Sequence, residues 1–581
     1  MGLSSSLQIG RSALTASQVA LQVTGNNFAN ASTPGYSRQL IGFAPNLDSR
    51  EGGYFLGRGV GISGITRQVD NALQARLWTG LSEENYSATV YQSLATVEAT
   101  LNELTENDLS SEFSRFFDSW SQLANSPDQD GRRSLVIQQG RTLSASVRAL
   151  RSDLTELRTQ IDRQLSSSVQ AADNLLTQIA DINAAIVNAE GGSSTANGLR
   201  DQRDTLVGKL SQLMDISTVE QPSGTLDVLV GSTPVVLAGV SRGLQLRRET
   251  VDGEVQVSVA IREDNTELDI SSGSVGALLN ERTETIDRTI ENLDTITSQL
   301  IFQVNRVHSS GYTKLPLTSL TGTQRAPSAD TTRALNDPAN ATFANLPFKA
   351  TNGGFLITVT NSVTGASETV QVEIDLDGLD SSGASGFGDD SSIATIVASL
   401  DAIDSITASV NPDGTLRISA DSGYKFALSE DSSGTLALLG LNTFFSGSDG
   451  TNIAVREALH NNPGLLAAGQ NIAGQPTDNG AALAILGLSD QTNEALGGRS
   501  ITNSWLDTAQ NVGARTAAAG NRAESSSLVR QSLDAQRSAV SGVSIDEESI
   551  NLLNYQRQYQ GAARFISVID ELTQTLLSLV G

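Results

Sequence analysis

The first thirty residues carry apolar side chains at a regular interval of seven positions. One row holds Leu7, Leu14, Leu21 and Phe28, and a companion row holds Leu3, Gly10, Ser17 and Thr24. Two such rows are typical of a helix that packs lengthwise against another helix. Because most of the companion row is small and buries little area, an isolated helix of this kind is marginal, and we predict that it requires a partner.

A matching row runs along the C-terminal part of the chain. Its members stand three or four positions apart, with the step of three once repeated: Leu552, Tyr555, Tyr559, Ala562, Ile566, Ile569, Leu572, Leu576 and Leu579. This spacing predicts a second amphipathic helix whose heptad seam contains one stammer. Since each terminal helix has an apolar face to cover, the simplest prediction is that the two helices pair and bring the ends of the chain together.

Further helical patterns and two β-rich zones lie between the ends. Apolar steps of three and four predict helices, of which the longest cover residues 71–124 and 134–189 and the others cover 198–214, 275–308 and 504–540. Strand-like patterns occur at 225–230 and 254–261, with a hairpin turn predicted at Asp252 and Gly253, and again between 355 and 445. Because helical patterns resume after each zone, we expect both zones to be insertions that project from a helical stem.

The predicted fold class is α+β and multidomain: a long α-helical coiled-coil stem formed by both ends of the chain, with inserted β-rich outer domains. A length of 581 residues is enough for about three to five domains. The patterns divide the chain into a terminal helical coiled-coil domain (1–60 and 541–581), a long-helix stem domain (61–215, 273–314 and 476–540) and β-rich outer domains (216–272 and 315–475).

Composition narrows the classes of function. Lys and Arg total 38 against 64 Asp and Glu, which gives a formal charge of −26 and argues against nucleic acid or an anionic membrane as a partner. The chain has no cysteine and two histidines, which excludes disulfides and zinc sites rich in Cys or His. No apolar run reaches the roughly 18 residues of a membrane span, and the N-terminus lacks the pattern of a cleavable secretory signal. We therefore expect the chain either to stay in the cytoplasm or to leave by a route that does not read such a signal.

Few residues suggest chemistry. Asp201 and Asp204 lie one helical turn apart beside Arg203, a spacing that favours ion pairs over acid-base catalysis, for which no partner motif is present. The acidic run from 373 to 390 only faintly resembles a calcium loop, because it lacks the terminal bidentate glutamate. His308 is expected at a helix end. We predict no enzyme activity, no cofactor and no metal site.

A distinctive turn follows the first helical pattern. Asn30 suits a helix C-terminus, Pro34 disfavours the α conformation at Thr33, and Gly35, just before Tyr36, permits a positive φ. These residues predict that the first helix ends here in a fixed turn. Taken alone, the stretch is more simply interpreted as an ordinary helix stop.

The stretch from Ala29 to Tyr36 resembles the Ala-Asn-x-x-Thr-Pro-Gly-Tyr motif near the N-terminus of the bacterial flagellar axial proteins, a family that includes rod, hook and hook-associated members. Ser37-Arg38-Gln39 resembles the form of this motif in the member that lies at the junction between hook and filament. Residues 196–206, which contain Asp-Gln-Arg-Asp, and residues 304–311 and 543–560 resemble the same member in the same order. Gly198 departs from the family pattern, in which an acidic residue is common, and the β-rich zones match poorly apart from residues 439–445.

The resemblance implies a structural component of the flagellum that joins hook to filament. It implies a ring of identical subunits whose terminal helices line a central channel, with the hook protein and hook-associated protein 3 as neighbours, an export chaperone, and secretion through the flagellar export apparatus. The residues expected to act in assembly are the two terminal rows, the turn from Asn30 to Tyr36, and Asp201, Arg203 and Asp204. Two alternatives stay open: another axial protein such as hook protein or flagellin, and an extracellular adhesin or enzyme with a ligand site in the β inserts.

Overall fold

A computed structural model describes residues 2–51, 54–103, 108–191, 194–251, 254–472 and 475–580. The chain forms two compact units, each assembled from separated stretches of sequence. The first contains Met1–Ser93, Ile161–Arg282 and Ala517–Gly581, and the second contains Leu94–Gln160 and Thr283–Thr516. The division into terminal, stem and outer domains stays a prediction.

Helices make up most of the described chain. In chain order they are α1 (Gly2–Ala29), α2 (Asn71–Leu101), α3 (Leu109–Ala124), α4 (Asp130–Ala189), α5 (Asn197–Leu213), α6 (Gly273–Glu281), α7 (Arg288–Ser309), α8 (Ser328–Thr331), α9 (Ala341–Ala344), α10 (Ile393–Asp401), α11 (Thr435–Leu438), α12 (Glu457–Asn461), α13 (Gly480–Gly487), α14 (Ile501–Ser541) and α15 (Ile545–Val580). A π-helical segment, Arg282–Asp287, joins α6 to α7, and short 3-10 turns occur at Pro463–Leu465 and Glu494–Leu496.

The strands form small antiparallel sheets. They are β1 (Gln39–Pro45), β2 (Ser49–Glu51), β3 (Tyr54–Leu56), β4 (Val60–Arg67), β5 (Ser217–Glu220), β6 (Leu226–Val230), β7 (Thr233–Leu237), β8 (Val240–Ser241), β9 (Leu244–Val251), β10 (Glu254–Ile261), β11 (Tyr312–Thr313), β12 (Ser319–Thr321), β13 (Gly353–Asn361), β14 (Ser367–Ile374), β15 (Ile406–Val410), β16 (Leu416–Ala420), β17 (Tyr424–Ser429), β18 (Phe445–Ser446), β19 (Ala454–Val455), β20 (Ala467–Ile472) and β21 (Gln475–Thr477). The orders are β1-β4, β2-β3, β5-β6-β7-β8, β9-β10, β11-β20-β21, β12-β16-β15, β14-β13-β17 and β18-β19.

The predicted terminal helices are present as α1 and α15, and the strand patterns are present as β6, β10, β13 and β14. The helix predicted over 71–124 is wrong as a single element, because α2 ends at Leu101 and α3 begins at Leu109. Asp108 caps α3 by accepting a hydrogen bond from the Ser111 backbone N–H, which starts a new helix there. The turn predicted at Asp252 and Gly253 lies outside the described residues.

In the first unit, the core lies where α5 approaches the β5-β8 sheet. Val207, Leu210, Val228 and Val236 are fully buried. The Asn183 side chain of α4 joins this sheet, because its Nδ2 donates to the Leu226 carbonyl at 2.9 Å and its Oδ1 accepts from the Leu226 N–H at 3.0 Å. The Asn183 amide thus satisfies both backbone hydrogen-bonding groups of Leu226.

In the second unit, aromatic rings concentrate around α3. Phe116 and Trp120 both contact Phe444, with ring centroids 5.8 and 5.5 Å apart, and Phe444 meets Phe445 edge-on at 4.7 Å. These geometries are the ones that aromatic pairs prefer. Among the helices of the described residues, none combines the length and apolar character that crossing a membrane requires.

Candidate functional site

The terminal helix pair, α1 with α15, buries the small row of α1 and not its leucine row. Residues with little side-chain volume face α15 or the adjoining strands, and the buried set is Gly10, Ala16, Ser17, Ala20, Val23, Thr24 and Asn27. Leu14 and Leu21 are half-buried, whereas Leu7 and Phe28 are 40% and 49% exposed. The two rows predicted from the sequence therefore have different environments. The row of small residues packs within the chain, whereas the row that begins with Leu7 remains partly exposed to solvent.

The row on α15 becomes more exposed toward its C-terminal end. Tyr555, Tyr559, Ala562 and Ile566 are half-buried and Ile569 is buried, while Leu552, Leu572, Leu576 and Leu579 are exposed. Two contacts fix an antiparallel register: Gly10 lies against Ile566, and Asn27 lies against Glu548. This register brings the start of α1 opposite roughly residue 574, so the last turns of α15 extend past α1.

Gly10 permits this close approach. A Cβ atom added there would lie 2.8 Å from Ile566 Cγ1 and 3.0 Å from a ring carbon of Phe565. Contacts this short do not occur between carbon atoms without displacement. The small residue at this position therefore sets how near the two helix axes lie.

The turn after α1 is fixed by hydrogen bonds to Asn27. The Tyr36 hydroxyl and the Gln39 backbone N–H donate to Asn27 Oδ1 at 2.8 and 2.9 Å, and Asn27 Nδ2 donates to the Gln39 carbonyl at 2.9 Å. Asn30 closes the helix end, because Thr33 N–H donates to the Asn30 carbonyl at 2.9 Å. The turn predicted from the sequence is present as a closed unit.

Gly35 lies at the position of the turn that favours glycine over residues with a Cβ atom. Its φ is +81°, a conformation that residues with a Cβ rarely adopt. An added Cβ would also lie 2.6 Å from the Thr205 hydroxyl oxygen of α5. Pro34, beside it, disfavours the α conformation at Thr33.

Arg38 ties this turn to the start of α15. Its Nε donates to Glu548 Oε1 at 2.8 Å and its Nη1 donates to Glu547 Oε2 at 2.7 Å, while its backbone N–H donates to the Ser541 carbonyl at 2.9 Å. The Glu548 side chain is 2% exposed, and its other oxygen accepts from Asn27 Nδ2 at 3.3 Å. A buried carboxylate of this kind needs its cation, because an unpaired charge in the interior is strongly unfavourable.

The Asp-Gln-Arg-Asp stretch of α5 meets the same turn from the other side. Arg67, at the end of β4, donates through Nη1 to Asp201 Oδ1 and to Asp204 Oδ2, both at 2.8 Å. Asp201 also accepts from the Ser37 backbone N–H at 3.2 Å. The two carboxylates thus share one guanidinium, and Asp201 alone also accepts from a backbone N–H, an arrangement typical of a structural ion pair.

Burial and charge shift the pKa values of this cluster. Burial, with the nearby carboxylates of Asp201 and Glu548, raises the pKa of Tyr36 to about 12, which keeps its hydroxyl protonated as a donor. Burial raises the pKa of Asp204, although Arg67 opposes the shift. Burial by itself would lower the pKa of Arg67, but the charges of Asp204 and Asp201 outweigh it and the pKa is raised.

Arg203 is 2% exposed, and its Nε lies 4.0 Å from Asp204 Oδ1. Its Nη1 donates to the Gly224 carbonyl at 2.7 Å, and its Nη2 lies 3.4 Å from Glu220. Arg203 therefore attaches α5 to the β5-β6 turn. We call the set Asn27, Tyr36, Arg38, Arg67, Asp201, Asp204 and Glu548 the junction cluster, because it joins α1, α5 and α15 in the first unit.

Arg67, Arg38, Asn27 and Glu548 were not singled out by sequence reasoning. Arg67 lies 134 residues from Asp201, and Arg38 lies 510 residues from Glu548. The only available signal was that Arg38 and Glu548 fall inside the stretches that carry the family resemblance, while Asn27 lies two residues before the first of them.

Two further sets of titratable residues considered in the sequence are His308 and the acidic run from 373 to 390. His308 is fully buried, with Nδ1 2.7 Å from the Asn442 carbonyl and Nε2 accepting from the Ala467 N–H at 3.0 Å. Each of Asp375, Asp377 and Asp390 places one carboxylate oxygen within 4.8 Å of the others. Asp375 and Asp377 are exposed, as in a solvated acidic turn.

Comparison with known proteins places the chain among flagellar proteins. The family described as the helical domain of flagellar hook-associated protein FlgK matches residues 94–318. The flagellar basal body rod FlgEFG protein C-terminal family matches residues 535–579, and the flagella basal body rod protein family matches residues 7–36. The last two matches contain most of the terminal helix pair.

Individual relatives agree with these matches. Flagellar hook-associated protein 1 of Escherichia coli (strain K12) is 23% identical over 602 residues, which covers 99% of this chain and 100% of the relative. The protein of the same name from Bacillus subtilis (strain 168) is 29% identical over 279 residues, or 46% of this chain and 55% of the relative. The flagellar hook junction protein FlgK from Burkholderia pseudomallei shares the fold with a TM-score of 0.50 at 16% identity, over 80% of this chain and 100% of that chain. The resemblance found in the sequence is confirmed.

Proposed function

We propose that this chain, which belongs to the flagellar hook-associated protein 1 family, joins the hook to the filament as a ring of identical subunits. The family consists of structural proteins of the flagellum, an appendage outside the cell. In our proposal the paired terminal helices line the central channel, the long helices surround them, and the β-rich segments 216–272 and 315–475 face outward.

The observation that carries the proposal is the open leucine row of the terminal helix pair. Leu7 and Phe28 on α1 and Leu576 on α15 stay between 40% and 49% exposed after the two helices have paired. Burial of the part of one such side chain that is still exposed would stabilise a contact by about 1 kcal/mol, roughly half of the 1.5–3 kcal/mol for a fully exposed side chain. Contacts between different surfaces of identical copies build rings or helices, and the open row supplies one such surface.

Neighbours and export follow from the same surface. We propose that the hook protein and hook-associated protein 3 contact the ring on its two sides. Before assembly, an export chaperone would cover the exposed row of α15, in the way that an amphipathic helix binds in the hydrophobic groove of a partner protein. A chain without cysteine carries no disulfide that would oppose passage of an unfolded polypeptide through the flagellar export apparatus.

The test replaces Leu7→Ser together with Phe28→Ser in the full chain, expressed in place of the chromosomal copy. We expect the purified variant to melt within about 4 °C of the parent, because each side chain is only about half-buried and a loss of about 1 kcal/mol shifts the melting temperature of a large domain by about 2–4 °C. Cells should carry hooks without filaments and release flagellin into the medium. The matched control is Val363→Ser, in the β13-β14 turn, where the valine is 89% exposed. Normal filaments on cells with the double variant would contradict the proposal.

A further inference from the structure

A second apolar surface stands beside the terminal helix pair. Strands β2 and β3 form an isolated two-stranded hairpin in which Arg50 pairs with Phe55 and Ser49 pairs with Leu56. Leu47 is 91% exposed, Tyr54 76% and Phe55 73%. We call Leu47, Tyr54, Phe55 and Leu56 the hairpin patch.

The hairpin patch is larger than ordinary surface exposure explains. Tyr54 and Phe55 together present on the order of 300 Å² of mostly apolar surface, divided between the two faces of β3 because successive residues of a strand point to opposite faces. A two-stranded hairpin is also marginal in water unless something packs on it. Large apolar side chains exposed on so small a hairpin indicate an interaction site.

The residues that follow β3, Arg58 and Gly59, show where along α1 the hairpin begins. A Cβ added at Gly59 would collide with the Ser12 hydroxyl and lie 3.2 Å from Ile9 Cα, and Arg58 donates to the Gln8 side chain at 3.2 Å. The base of the hairpin therefore lies against the N-terminal turns of α1. In the antiparallel register Ser12 and Gln8 lie opposite roughly residues 564 and 568 of α15, where the exposed C-terminal part of that helix begins.

The last turns of α15 present a matching stripe. Val568, Leu572, Leu576 and Leu579 are all exposed, between 48% and 77%, and their spacing places them along one side of the helix.

We propose that the hairpin patch docks on the Val568–Leu579 stripe of a second copy of this chain. The proposal rests on the ring assembly proposed above and names the surfaces that adjacent copies use. Copies packed side by side at one height bring the hairpin of one to the level of the α15 end of the next. The contact is between two different surfaces, so it propagates around a closed ring.

Cysteine cross-linking tests the contact, because the parent chain contains no cysteine. The full chain carrying Phe55→Cys and Leu576→Cys replaces the chromosomal copy, hook-basal bodies are purified, and a short bismaleimide is added. We expect a ladder of dimers, trimers and higher multiples of the chain. Each single variant should give no ladder beyond a dimer, and the control pair Val363→Cys with Leu576→Cys should give none.

A second variant separates this contact from ring assembly. Tyr54→Ser with Phe55→Ser should leave the melting temperature within about 2 °C of the parent, because both rings are exposed. We expect at least a tenfold loss of the chain from purified hook-basal bodies. If the cysteine pair and the serine variant both incorporate normally and no ladder forms, the hairpin contact is overturned and ring assembly stands. Failure of the parent chain itself to purify with hooks would overturn the proposed function, and a cross-link to a protein of different mass would overturn the second copy as occupant.

Discussion

Removing the Arg38 side chain is the sharpest test of how the terminal helices are held. Arg38→Ala leaves the Glu548 carboxylate, 2% exposed, without the guanidinium that contacts it at 2.7 Å. The carboxylate keeps one longer hydrogen bond, from Asn27 Nδ2 at 3.3 Å. The first turn of α15 should therefore open to bring Glu548 into water.

The size of the effect follows from burial of the pair. Breaking a buried ion pair by removing one partner destabilises by about 3–5 kcal/mol. The second contact of Arg38, with Glu547, adds little because the Glu547 side chain is 60% exposed. We expect local opening of the start of α15 to become about 3 kcal/mol easier, which corresponds to roughly 100-fold faster amide exchange.

Hydrogen exchange of peptides from residues 545–556 measures this change in the full chain. Arg38→Met combined with Glu548→Met removes both charges and should recover most of the lost protection, because no buried charge is left unpaired. Peptides from the second unit, such as residues 393–401, serve as the internal control and should not change. Less than a fivefold acceleration in Arg38→Ala, or a double variant as unprotected as the single one, would refute the reasoning.

Three further predictions test other parts of the chain. Burial lowers the pKa of His308 to about 4, so the neutral imidazole contributes fully to the free energy of unfolding above its unfolded pKa of about 6.5. As the pH falls from 6.5 toward 4, about 3 kcal/mol of this stability should be lost, which urea unfolding followed by tryptophan fluorescence measures. The variant His308→Gln should show a weaker pH dependence. Gly35→Ala combines a φ of +81° with a Cβ 2.6 Å from the Thr205 hydroxyl; it should destabilise the turn by about 1–3 kcal/mol, and unchanged exchange in residues 33–39 would contradict this. Gly10→Val presses on Ile566, 2.8 Å from the added Cβ; it should weaken the helix pair by about 1–3 kcal/mol, seen as faster exchange of residues 560–570, whereas full protection would show that the helices adjust freely.

Periodicity was sufficient to predict the terminal helices but not which of their rows meets the partner. Both rows of α1 were visible in the sequence. If burial of apolar area alone decided the contact, the row of leucines would be expected to pack against α15. The structure buries Gly10 and Ser17 because helices with small residues between them approach more closely, and close approach excludes larger side chains from the same seam. A single-helix pattern contains no information on the distance between helix axes.

The junction cluster was only partly predictable, for a different reason. The spacing of Asp201 and Asp204 correctly indicated ion pairing, since both carboxylates contact Arg67. Their partner was not identified, because Arg67 approaches only when β4 pairs with β1 and lies beside α5. Pairs separated by more than a hundred residues depend on topology, and local spacing does not report it.

The structure assigns different tasks to the two ends of the terminal helix pair. At one end, Arg38 and the buried Glu548 fix where α15 begins relative to α1. Toward the other end the contacts thin out, until Leu576 and Leu579 are 49% and 77% exposed. Local stability follows the density of buried contacts, so in a single chain protection should be lower from Leu572 to Leu579 than in the part of α15 that ends at the buried Ile569. The junction cluster thus sets the direction of the two helices before any assembly. The apolar surface that remains exposed on them is the one that our proposals assign to contacts with neighbouring copies.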